Sequence, residues 1–149
     1  MGIDPRGPRF GALITTVVLA AVLATGSGWL LAAQALVFAV GAVFGLRYAP
    51  YGLLYRWLVR PRLGPPRELE PAAPPRFAQA VGLVFAIIGV AGYAADVTWL
   101  GMAATAAALV AAFLNGVVGF CLGCEMYLLI RRIWSGRQAL TPAGADREA

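Results

Sequence analysis

Two thiols and a carboxylate lie within five residues of one another: Cys121, Cys124 and Glu125, in the stretch Phe120-Cys121-Leu122-Gly123-Cys124-Glu125-Met126-Tyr127. They are the only cysteines in the chain, and Glu125 is the only acidic residue inside an apolar segment. On a continuous helix, Cys121 and Cys124 share a face and Glu125 flanks it, four residues from Cys121. Paired thiols at this spacing can exchange with a partner thiol, or carry a sulfane sulfur as a persulfide. A carboxylate beside them can take the proton of a neighbouring thiol. The competing reading is packing, since a cysteine in an apolar helix often acts as a small hydrophobe. Glu125 would then be held in a salt bridge by Arg47 or Arg132. Metal binding fits less well. Two thiolates and one carboxylate do not complete a four-ligand zinc site, and the chain has no histidine to add. No metal or other cofactor is expected.

The elements that must position these groups are apolar. Of 149 residues, 60% are hydrophobic and 13% charged, far from the composition of a soluble domain. Apolar runs long enough for the roughly 30 Å hydrocarbon core recur along the chain. The expectation is an all-α, polytopic membrane protein forming a single membrane domain, with lipid as its first partner. Its four transmembrane helices are placed at about 10–26, 29–46, 77–94 and 99–133. The last run exceeds the bilayer thickness, so it must tilt, project, or consist of two pieces meeting near Asn115-Gly116.

Between the second and third spans, residues 47–60 interleave Tyr48, Tyr51, Tyr55 and Trp57 with Arg47, Arg56 and Arg60. That pattern suits an amphipathic segment at the headgroup level. Residues 61–75 form a Pro-rich linker, and 135–149 a polar tail. Gln34, the strongly polar residue of the second span, is expected to bond a neighbouring helix.

All twelve basic residues are arginine, and the net charge is +5. The arginines flank the apolar runs rather than forming a basic face with exposed aromatics, so nucleic acid is not an expected partner. Arg6 and Arg9, the group from Arg47 to Arg76, and Arg131, Arg132 and Arg137 all fall on one side of a four-span topology. The positive-inside rule puts that side, with both termini, in the cytoplasm of a cell whose inner (plasma) membrane holds the protein. The thiols therefore face a reducing compartment, where a permanent structural disulfide is not expected.

Gly7-Pro8-Arg9-Phe10 before the first span echoes Pro74-Pro75-Arg76-Phe77 before the third. The four spans then read as two hairpins in a parallel repeat. That repeat puts the 47–60 segment and the thiol motif at equivalent positions, so the two are expected side by side.

The opening Asp4-Pro5-Arg6-Gly7-Pro8-Arg9-Phe10, the Pro75-Arg76-Phe77-Ala78-Gln79 start of the second half, and the thiol motif resemble an uncharacterised bacterial membrane-protein family. It is catalogued as a domain of unknown function and is common in high-GC actinobacteria. The resemblance covers nearly the whole chain up to Arg132. Members are often encoded near rhodanese-type sulfurtransferases and thioredoxin-like proteins, which implies a link to sulfur or thiol metabolism and soluble partners of those kinds. A homo-oligomer is compatible with the small-residue spans.

These readings converge on a cytoplasm-facing dithiol that takes part in thiol-redox or sulfane-sulfur transfer. A conduit for a small sulfur species, and a structural scaffold with packing cysteines, are the alternatives.

Overall fold

The chain folds as an all-helical bundle with one short strand pair, as seen in a computed structural model that describes residues 2–139. After β1 (Gly2–Ile3), α1 (Arg6–Thr25) carries no charge beyond Arg9. It stops at Gly26, whose positive φ of 66° lets its N–H bond the Val22 carbonyl at 2.7 Å. Ser27 then caps α2 (Gly28–Val43), accepting the Leu30 N–H on its hydroxyl at 3.2 Å. The amphipathic segment forms α3 (Pro50–Leu54), a π-helical turn over Tyr55–Val59, and α4 (Arg60–Leu63). The proline-rich linker is less irregular than its composition implies: it completes α4, and Glu70–Pro71 form β2, antiparallel to β1.

The second half opens with α5 (Ala73–Ala94) and α6 (Thr98–Phe113), which runs on through a π-helical turn at Leu114–Val118. Residues 119–121 are not helical, and α7 (Leu122–Ala139) follows. The apolar run 99–133 is thus two helices. The break falls at Gly119, not at Asn115-Gly116, because Gly119 takes a φ of +81° to end the π turn. The first five residues of the expected polar tail continue α7, and 140–149 lie outside the described residues.

In the bundle, α2 packs on α5, α5 on α6, and α6 on α1. Leu19, Val22, Leu31, Phe38, Ala86 and Ala108 make the core. Glycines set the close approaches. A Cβ on Gly92 would lie 2.6 Å from the Gly101 nitrogen, and one on Gly89 2.6 Å from Leu31. Polar side chains are inside: Thr15, Gln34 and Thr105 are buried. Large apolar side chains are outside, with Val17 and Leu36 each 70% exposed in mid-helix. In water such surfaces would aggregate, whereas helices facing lipid require this distribution.

Among the described residues three stretches, Arg6–Thr25, Ala73–Ala94 and Thr98–Val118, are long and apolar enough to cross a membrane. The shorter apolar helix α2 has 16 residues and rises about 24 Å. Its last carbonyls are satisfied by Arg76, whose guanidinium donates to Ala42 at 3.1 Å and Val43 at 2.8 Å.

Candidate functional site

The break after the π turn decides the geometry of the thiols. Phe120 donates its N–H back to the Leu114 carbonyl at 3.0 Å, which closes the turn and sends the chain off in a new helix. Cys121 is the last residue before α7, in the N-cap position, and Cys124 is in the helix's first turn. Expecting both cysteines on one helical face was incorrect for Cys121. The Cys124 N–H donates to the Cys121 sulfur at 3.2 Å, and the Glu125 N–H to the Cys121 carbonyl at 3.0 Å. A sulfur here plays the part a serine hydroxyl plays at other helix starts.

The two sulfurs are bonded as a disulfide, with Cα atoms 5.2 Å apart, inside the range for an ordinary cystine. The pair can close because one partner lies outside the helix. Both cysteines are partly exposed, and Glu125 is exposed beside them. Glu125 makes no ion pair with Arg47 or Arg132, so the salt-bridge role drawn for it is absent among the described residues.

Three neighbours complete the surroundings. A Cβ on Gly123, between the cysteines, would lie 2.6 Å from both the Cα and the Cβ of Ala78, so the motif rests on the backbone of α5. Tyr127 meets Phe77 of the same helix at 5.8 Å between ring centres, and the Arg131 guanidinium sits 6.0 Å from the Tyr127 ring. The Arg9 side chain reaches the break from α1: its guanidinium carbon is 3.4 Å from where a Gly119 Cβ would stand. Arg9, Gly119 and Gly123 were not singled out from sequence. Only contacts distant along the chain give them a role at the thiols. Among the described residues no group of three or more His, Cys, Asp or Glu side chains could hold a metal ion.

The 47–60 segment lies elsewhere. Tyr55 stands against Gly7 and Phe10 of α1, and Tyr51 against Gly11. Tyr51 donates its hydroxyl to Gln34 at 2.7 Å, and Tyr55 donates to Asp4 at 2.9 Å. The thiol motif rests on α5 instead, so the side-by-side placement expected from the repeat is corrected. Gln34 does bond a neighbouring element, through its carbonyl oxygen, while its amide nitrogen is buried without a partner.

A sequence profile of the family described as a domain of unknown function, DUF4395, matches residues 3–132, so the chain belongs to that family. Comparison with curated proteins found no match, and comparison with solved structures found none.

Proposed function

We propose that this DUF4395 member is a multi-pass membrane protein whose Cys121–Cys124 pair cycles between disulfide and dithiol by exchange with a soluble thiol protein. The observation that carries the reading is the Cys124 N–H aimed at the Cys121 sulfur at the start of α7. An amide donor and a helix N-terminus both favour a thiolate at that sulfur once the pair is reduced, and Arg9 adds positive charge nearby.

The exchange balances as a two-electron step. The Cys121 thiolate attacks one sulfur of a partner disulfide, and the partner's other sulfur leaves as a thiolate and takes up a proton. The Cys124 thiol then loses its proton, with exposed Glu125 next in sequence to receive it, and attacks the Cys121 sulfur. The partner's second sulfur is released. The protein dithiol is oxidised, the partner disulfide is reduced, and the reverse reaction uses the same steps. A closed pair favours this exchange over persulfide carriage, which needs a free thiol.

Orientation and span number belong to the same proposal. The pairing of α1 with α6 and of α5 with α2 supports two hairpins in a parallel repeat, with α2 as the fourth span. The arginines at one end of those spans support a cytoplasmic face for the thiols and both termini. Trp57 and Trp134 sit exposed toward that end, and Trp29 and Trp99 start the helices at the other, as interfacial anchors do.

Cys124→Ser tests the mechanism, because it removes the resolving thiol. The variant should accumulate a mixed disulfide between Cys121 and its partner in membranes, lost on reduction and absent from Cys121→Ser. If neither variant traps a partner, exchange with a protein thiol is wrong.

A further inference from the structure

A second feature lies on the arginine-rich end, away from the thiols. The N-terminal segment, the first turns of α1, the end of α2 and the α3–α4 segment line a half-open cavity of about 340 Å³. That volume is at the lower end of the roughly 300–1,000 Å³ typical of small-molecule sites. Its roof is fastened rather than loose. β1 pairs with β2, and the Arg6 guanidinium bonds the Gly64 carbonyl at 3.0 Å and the Asp4 carboxylate at 3.0 Å.

Charge in this cavity is unbalanced. Among the described residues Asp4 is the one acid lining it, and it is already occupied by Arg6 and by the Tyr55 hydroxyl. Arg47, Arg56 and Arg60 also line the cavity, and none has a hydrogen-bond acceptor or ion-pair partner on the protein among the described residues. Three arginines lining one pocket with no acceptor on the protein are an arrangement suited to a phosphate, whose oxygens accept paired N–H bonds. The same segment exposes Leu53, Leu54, Trp57 and Leu58, the apolar side of a helix that lies in the headgroup layer.

We propose that this cavity binds a phosphate-ester anion, held by Arg47, Arg56 and Arg60, supplied either by the headgroup of an anionic phospholipid or by a soluble phosphate ester. The lipid-facing leucines and Trp57 would seat acyl chains beside the bound headgroup. A soluble ester would use the arginines alone.

The test is native mass spectrometry of the full-length protein in detergent, titrated separately with phosphatidylglycerol, phosphatidylcholine and glycerol phosphate. The expected result is a one-to-one complex with phosphatidylglycerol, about tenfold or more tighter than with phosphatidylcholine. Arg56→Gln and Arg60→Gln should each weaken it by about tenfold, the loss of a charge-assisted hydrogen bond. Val37→Phe, which fills the cavity from α2 without changing charge, should weaken it as well. Arg62→Gln and Arg67→Gln remove the same charge outside the cavity and should leave binding unchanged. A one-to-one glycerol phosphate complex with the same arginine dependence, and no preference among the lipids, would assign the soluble source and still support the site. The proposal is overturned if wild type binds neither phosphate one-to-one. It is also overturned if Arg62→Gln and Arg67→Gln weaken binding as much as the cavity variants, since surface charge alone would then explain it.

Discussion

The backbone N–H of Cys124 points at the sulfur of Cys121 from 3.2 Å, so the first turn of α7 is capped by one half of its own disulfide. The cap and one half of the disulfide are the same atom. Reduction should leave the helix start intact, because the Cys121 sulfur can still accept the same N–H.

Gly123 holds that cap against α5. Adding a Cβ there places it 2.6 Å from backbone and side chain of Ala78, so α7 must move away. Gly123→Ala should destabilise the protein by about 1–3 kcal/mol. Ala78→Gly, which removes one of the two contacts, should recover part of the loss. Thermal unfolding in detergent, followed by circular dichroism, measures both. An unchanged midpoint in Gly123→Ala would mean that α7 does not rest on α5.

Asp4 gives the fold a pH dependence. Burial pushes its carboxyl up, but the Arg6 side-chain and backbone bonds, the Tyr55 hydroxyl and the Arg6 charge outweigh this and hold it below the usual aspartate value. A depressed carboxyl contributes stability that is fully present above the unfolded-state value and is lost as pH falls through the folded one. Tyr55→Phe should cost about 1–2 kcal/mol near neutral pH, because Asp4 keeps its three donors from Arg6. Asp4→Asn should flatten the acid limb of the stability curve between the usual aspartate value and lower pH. Unfolding midpoints measured across that range, indistinguishable between wild type and Asp4→Asn, would contradict the assignment.

Topology can be read with reporters fused at Gly26 and at Ser135. With α2 as a fourth span, the two report opposite sides of the membrane. Were α2 to lie on the surface, α5 and α6 would return the chain to the side of Gly26, and the signals would agree. Agreement would remove the four-span arrangement and, with it, the cytoplasmic placement of the thiols.

Much of the helical framework was legible in the sequence because apolar length is a one-dimensional signal. Gly26-Ser27 marks a helix stop and start by residue type alone, and the arginines mark one end of the bundle. The thiol site was half legible. Spacing brought Cys121, Cys124 and Glu125 to notice, but the same spacing placed both sulfurs inside a helix. Gly119 is one of 18 glycines, and nothing local marks it as the one whose positive φ breaks this run. Arg9 and Ala78 lie more than forty residues from the motif, so their contacts with Gly119 and Gly123 follow from the packing of α1 and α5. The side-by-side placement drawn from the repeat failed for a related reason. Matching positions in sequence gave no information on which helix each segment would cover, and Tyr51 and Tyr55 found their hydrogen-bond partners on α2 and before α1.

The central claim is that Cys121 and Cys124 form a reversible two-electron couple. The direct measurement equilibrates the protein in lipid nanodiscs with graded ratios of a reduced and oxidised dithiol, quenches with maleimide, and counts labels by mass. The account predicts species carrying either no label or two, interconverting over a Nernst slope of about 30 mV per tenfold change. In the reduced protein Cys121 should label faster than Cys124 near neutral pH, and Glu125→Gln should slow the reoxidation that depends on Cys124 losing its proton. A pair that stays closed at every ratio, or two cysteines that label independently with no common midpoint, would contradict it and leave the cysteines as structural residues.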